Sequence, residues 1–166
     1  MESILIVEVE EEVRSILEMH LKSQNFDCTS AESTQEALAL CESNQFDCIL
    51  TDIMMPNMTG IEFLQKLNTL EFVPPVVFLT GYEDREILKS CLRLGAFDFI
   101  SKPYSRKDLV DIVNRAAQIG QRQKQVFFES TDDPNLENRK IRGLRSITKS
   151  SRSSAFRQAL FDIFFS

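Results

Sequence analysis

The chain has little of what builds disulfide frameworks or metal clusters. Its 166 residues include four cysteines, Cys28, Cys41, Cys48 and Cys91, with no Cys-x-x-Cys spacing, and all four fall inside segments patterned as strand or helix. Such cysteines behave as small buried hydrophobes of a reducing compartment, which argues against a disulfide scaffold and a zinc site. The single histidine, His20, has no His or Cys at ligand spacing and is read as incidental. No apolar run approaches the roughly 20 residues that cross a bilayer, and Met1-Glu2-Ser3 opens no signal peptide. These absences leave a soluble, cytoplasmic chain as the expectation. No internal repeat is visible.

What is present is 43% hydrophobic and 27% charged, a balance suited to one domain with an appendage. The net charge of −6 is uneven. Residues 1–125 hold 12 Lys/Arg against 20 Asp/Glu, whereas 126–166 hold 7 against 5. An acidic body argues against phosphate-backbone binding, and hence against nucleic acid as a partner.

Along the chain, apolar runs alternate with helical patterns. Ile4-Leu5-Ile6-Val7 reads as a strand covered on both faces. After the acidic cluster Glu8, Glu10, Glu11, Glu12, the residues Val13, Ile16, Leu17 and Leu21 recur at helical spacing. A shorter strand follows at 26–31, and Ser33 with Glu36 matches a capping box opening the next helix. Cys48-Ile49-Leu50 forms the central strand and ends on Asp52, followed by a Met54-Met55-Pro56-Asn57 turn. Thr59 and Glu62 fit a second capping box ahead of Phe63, Leu64, Leu67 and Leu70. Val76–Thr80 is a fourth strand, 84–94 a helix closed by Gly95, and 97–101 a fifth strand ending at Lys102-Pro103. Ser105 and Asp108 then cap a last helix. Five strands alternating with five helices call for a parallel sheet wrapped on both faces.

In such sheets, ligands gather outside the carboxyl ends of the strands. Those ends carry Glu8, Asp52, Thr80 and Lys102. A lone Asp after a strand is ordinarily a turn residue, but an acid cluster, a carboxylate, a hydroxyl and an amine converge here. A carboxylate can attack phosphorus to form an acyl phosphate, and catalysis is then largely positioning and charge neutralisation. A Lys ammonium can hold one phosphoryl oxygen, a Thr hydroxyl another, and Mg²⁺ with its oxygen ligands the third. The bland alternative for Asp52 with Lys102 is a structural ion pair.

At these residues the chain resembles the receiver domain of bacterial two-component response regulators, over about three quarters of its length. The resemblance rests on the strand before the acidic cluster, Asp52 with Pro56 and Gly60, Thr80-Gly81, and Phe99 three residues before Lys102-Pro103. It implies a flavodoxin-like (βα)5 fold, doubly wound around a five-stranded parallel sheet, with a C-terminal helical tail. It implies that Asp52 accepts phosphate from a histidine kinase or phosphotransfer protein, that Lys102 holds the phosphoryl group, and that Thr80 and Phe99 form a switch pair. The Mg²⁺ ligands would be Asp52, Glu8 and the Met54 carbonyl, with Glu10 a further candidate. Met54 and Tyr82 would flank the path of the hydrolytic water and slow self-dephosphorylation. Beyond this self-catalysed chemistry, no enzyme activity is expected.

There is one departure. The family presents two adjacent acids after the first strand, and the second binds the metal; this chain reads Glu8-Val9. A valine offers no oxygen to a hard cation, so Mg²⁺ is expected to bind weakly or not at all. Two readings follow: a phosphorylatable switch, or a degenerate pseudo-receiver that works as a phosphorylation-independent scaffold.

The expected division is a receiver over 1–125, a linker over 126–138, and a basic segment with an amphipathic helix over 139–166. Arg139, Lys140, Arg142, Arg145, Lys149 and Arg152 run without an acid among them. Phe156, Leu160, Ile163 and Phe164 then recur at helical spacing, widened by Phe161 and Phe165. This tail is too short for a winged helix, so no DNA-binding output domain is expected. Self-docking or dimer exchange ranks first for it, a groove in a downstream protein partner second, an anionic membrane surface third. The 84–117 face, with Lys89, Arg93, Asp98, Asp111 and Arg115, is a second candidate for a homodimer.

Overall fold

The structure, a computed structural model, describes residues 1–81 and 85–131. Its strands are β1 (Ser3–Val7), β2 (Asp27–Ala31), β3 (Cys48–Asp52), β4 (Met54–Met55), β5 (Met58–Thr59), β6 (Val76–Thr80) and β7 (Asp98–Ser101). Its helices are α1 (Glu11–Lys22), α2 (Thr34–Ser43), α3 (Gly60–Leu67), α4 (Arg85–Leu94) and α5 (Arg106–Thr131). Five strands form one sheet in the order β2-β1-β3-β6-β7, every neighbouring pair parallel. That is the doubly wound arrangement expected from the alternation of apolar runs and helical patterns.

The central strands are apolar on both faces because helices cover both. Ile4, Ile6, Cys48, Leu50, Val77, Leu79 and Ile100 pack with Leu17 and Leu21 of α1 and with Leu109, Val113, Ala116 and Ala117 of α5. Strand alternation turns Leu5, Val7, Ile49 and Phe78 to the other face, all with no exposed surface. Each buried Leu, Ile or Phe contributes on the order of 1.5–3 kcal/mol.

The turn after Asp52 is more ordered than its sequence suggests. Met54–Met55 and Met58–Thr59 pair as an antiparallel hairpin around Pro56-Asn57. Proline presets one turn residue, and Asn57 takes the left-handed conformation at φ 67°. The hairpin hands the chain to α3, where Thr59 accepts from the Glu62 N–H and the Glu62 carboxylate accepts from the Thr59 N–H. The box expected at Ser33 closes only halfway. Ser33 accepts from the Glu36 N–H at 3.1 Å, but the Glu36 carboxylate takes the Glu32 N–H instead.

The linker boundary needs correcting. The helix α5 runs to Thr131, so 126–131 is helical. Apolar periodicity fades there, yet Gln, Arg, Lys and Glu propagate a helix without it, and no Gly or Pro intervenes. Gln125 also donates to Glu129 one turn on, at 2.9 Å. The compact units are Met1–Gln121 and Arg122–Ser166. The expectations for 132–138, for the 139–166 tail and for Tyr82 lie outside the described residues.

Candidate functional site

Strand register assembles the site. Pairing of Ile6 with Leu50 and Val7 with Thr51 carries Glu8 alongside Asp52 one step further. Asp52 in turn pairs with Leu79, and Leu79 with Ile100. Two residues beyond Ile100, alternation returns Lys102 to the Asp52 side. The Lys102 ammonium accordingly forms an ion pair with Asp52 Oδ2. The other carboxylate oxygen, Oδ1, accepts the Met54 N–H at 2.9 Å. Both oxygens of Asp52 are thus held, and its side chain retains 16% exposure. Burial works against the charge of Lys102, but its bond to Asp52 and the fields of Asp52 and Glu8 outweigh it and raise its pKa.

Glu8 is only 4% exposed. Its Oε1 accepts the Glu10 N–H at 3.0 Å, while Oε2 is buried with no hydrogen-bond partner among the described residues. A buried orphan acceptor costs free energy until something fills it. The Val9 side chain carries no oxygen and the residue is 40% exposed. Glu10 is the N-cap of α1; its backbone N–H serves Glu8 while its side chain lies exposed. Among the described residues, no group of three His, Cys, Asp or Glu gathers to hold a metal ion. The oxygen donors at this edge are therefore Glu8, Asp52 and the Met54 carbonyl. This falls short of what Mg²⁺ demands, since Asp52 is already engaged and the family's third carboxylate is a valine.

Thr80 is buried and donates to the Gly81 carbonyl at 3.0 Å. Phe99, half-buried, pairs in register with Phe78, so Thr80 and Phe99 share the sheet face opposite to Asp52. On the 84–117 face, Lys89 bonds Glu86, Arg115 approaches Asp98 and Lys107 bonds Asp111. Half-buried Asp98 has its pKa raised by desolvation, against the Phe99 N–H bond and the Arg115 charge. Of the four cysteines expected to be buried, Cys48 and Cys91 are, while Cys28 and Cys41 are only half-buried; burial raises all four thiols.

Two residues at the site escaped the sequence reading. Arg14 of α1 donates to the Glu8 carbonyl at 2.6 Å and the Val9 carbonyl at 3.2 Å, pinning the loop after β1. Tyr104, two residues past Lys102, packs its ring on the α1/α5 core. Its phenol feels the charges of Lys102, Glu8 and Asp52, and burial raises its pKa. Alternation from Lys102 was the available signal for Tyr104; for Arg14 there was none.

A parallel five-stranded sheet with an acid, a carboxylate and a lysine at its carboxyl edge defines the class of receiver domains. The chain belongs to the response regulator receiver domain family, whose model matches residues 4–114. It is 37% identical over 123 residues to the regulatory protein AtoC of Escherichia coli, covering 74% of this chain and 27% of that protein. It is 32% identical over 132 residues to the DNA-binding transcriptional regulator NtrC of Salmonella typhimurium, covering 80% and 28%. Among solved structures it is similar to FixJ-N, with a TM-score of 0.67 at 30% identity over 71% of this chain and 94% of that one. Against NtrX from Brucella abortus the TM-score is 0.68 at 25% identity, covering 75% and 28%. The chain spans little more than a quarter of AtoC and NtrC. No described helix is long and apolar enough to cross a membrane.

Proposed function

We propose that this receiver takes a phosphoryl group onto Asp52 from a phosphohistidine of a histidine kinase or phosphotransfer protein in the cytoplasm, and then changes its association with a protein partner or a second copy. The observation that supports this is the ion pair between Asp52 and Lys102 at the carboxyl edge of the sheet. Lys102 neutralises one phosphoryl oxygen and orients the acceptor. Thr80 and Phe99, on adjacent strands and one face, suit a switch in which the hydroxyl is drawn to phosphate and the ring follows. Met54, 53% exposed beside Asp52, covers the path of hydrolytic water and lengthens the life of the acyl phosphate. Glu8, Asp52 and the Met54 carbonyl would hold Mg²⁺ weakly; when bound, the ion supplies countercharge. The 84–117 face and the 139–166 tail are the proposed association surfaces. The activity is self-directed, with no separate substrate turned over. Output of the longer regulators that the chain resembles is not assigned to it.

Val9 favours a second reading, in which the domain binds its partner irrespective of phosphate. Incubation with acetyl phosphate or phosphoramidate and Mg²⁺, followed by intact-mass measurement, separates the two. A one-phosphoryl gain that vanishes in Asp52→Ala supports the switch. No gain, with restoration in Val9→Asp, establishes the phosphate-independent module.

A further inference from the structure

The outward face of α1 takes no part in the strand-edge site. Ile16 is 48% and Met19 60% exposed, one turn apart, while Leu17 and Leu21 face the core. Of the large exposed apolar side chains among the described residues, these two alone share a helix. Exposed Ser15 beside them is small enough to let a second helix approach closely. Glu11 and Glu12 occupy the first turn, whereas Lys22 stands in the last. Arg106 adds a second cation at that end, because its guanidinium donates to the Ser23 hydroxyl. The helix macrodipole accounts for acids first and bases last within one helix. It gives no reason to leave Ile16 and Met19 in water.

The face is complementary to itself. Turned end for end against a second α1, it sets Ile16 against the partner's Met19 and Met19 against the partner's Ile16. At 1.5 Å per residue, Glu12 and Ser23 each lie about 8 Å from the midpoint of that pair, so acidic and cationic ends meet. A parallel alignment would set acid against acid and base against base. Glu11 and Glu12 have no ion-pair partner among the described residues. Lys22 is paired with Glu18 within the helix yet stays exposed. A guanidinium carries five N–H donors, and the bond to Ser23 uses one nitrogen.

We propose that the outward face of α1 is a homodimer interface, in which two copies pack antiparallel through Ile16 and Met19, with Glu11 and Glu12 set against Lys22 and Arg106. The contact is isologous, so it closes at two copies and each side chain acts twice. It is separate from the 84–117 face and the tail, and it does not depend on phosphoryl transfer to Asp52. One helix face falls below the roughly 800 Å² per partner of a standard interface, so the dimer is weak and reversible.

The test is sedimentation equilibrium of the full chain from micromolar to millimolar concentration. Wild type should pass from monomer to dimer, and joint Ile16→Ser and Met19→Ser substitution should weaken association about tenfold or more. Both side chains are exposed, so the fold is kept, and matching circular dichroism verifies it. Charge reversal is the second arm. Glu11→Lys with Glu12→Lys makes the first turn cationic like the last, and Lys22→Glu with Arg106→Glu makes the last acidic like the first. Each variant alone should lose the dimer, and an equimolar mixture of the two should regain it as a heterodimer. That rescue arises only if opposite ends of two α1 helices meet. A wild type that stays monomeric throughout would overturn the proposal. So would a dimer that these substitutions leave unchanged, which would move association to the 84–117 face or the tail. A dimer lost in both charge variants and not regained on mixing would overturn the antiparallel pairing.

Discussion

The ammonium of Lys102 is paired with Oδ2 of Asp52, 50 residues away in the chain, while the Met54 N–H holds the second oxygen of the same carboxylate. The carboxylate is thus held on both oxygens, which suits the proposed acceptor role. Replacing Lys102 with Met should abolish labelling of Asp52 by acetyl phosphate or slow it by about 100-fold or more, the scale seen when one preorganised charge-stabilising donor is removed. Intact mass over time measures it.

The same pair makes a pH prediction. The pKa of Lys102 is raised above the ordinary 10.5. Stability from the pair is therefore fully present below 10.5 and is lost as pH rises through the raised value. Thermal melts of wild type and Lys102→Met should differ most near neutrality, with the gap narrowing at strongly alkaline pH. A constant gap across that range would contradict the assignment.

Val9 sets the metal response. The change Val9→Asp adds a carboxylate beside Glu8, and Mg²⁺ affinity by titration calorimetry should rise about tenfold or more, each tenfold being about 1.4 kcal/mol. Unchanged affinity would mean that the loop after β1, pinned by Arg14, presents residue 9 away from the ion.

Exposure of Met54 next to Asp52 predicts a slow loss of the acyl phosphate. Once labelled and freed of donor, the protein should keep its phosphoryl mass well beyond seconds, and Met54→Asn should shorten that lifetime by admitting water. Loss within seconds in the wild type would remove the shielding role.

Gly120 makes a prediction about stability. A Cβ there would lie 1.8 Å from the Asp47 carbonyl oxygen, so α5 meets the backbone ahead of β3 where no side chain fits. Alanine is the better helix former by about 1 kcal/mol, yet Gly120→Ala should lower the Tm, because overpacking costs roughly 1–3 kcal/mol or more. In contrast, Thr59→Ala should lose only about 0.5–2 kcal/mol through the α3 cap.

Much of the fold was legible because short-range rules suffice for it. Runs such as Ile4–Val7 and Val76–Leu79 state burial on both faces, Thr59 and Glu62 state a cap, and Gly95, at φ 106°, states a helix end. The end of α5 was less legible, because Gln and Lys sustain a helix without an apolar stripe. The hairpin at Met54–Thr59 shows in the sequence only as a turn, since two-residue strands have no periodicity to detect.

By itself the sequence determined which chemical groups stand at strand ends: Glu8, Asp52, Thr80 and Lys102, and the valine where a second acid belongs. Only the tertiary structure decided how they face one another. It set Glu8 beside Asp52 with one oxygen unused, placed Thr80 with Phe99 on the other face, and brought Tyr104 to the edge and Gly120 against Asp47. Those outcomes depend on register between strands and helices far apart in the chain, and local periodicity carries no information about such pairings.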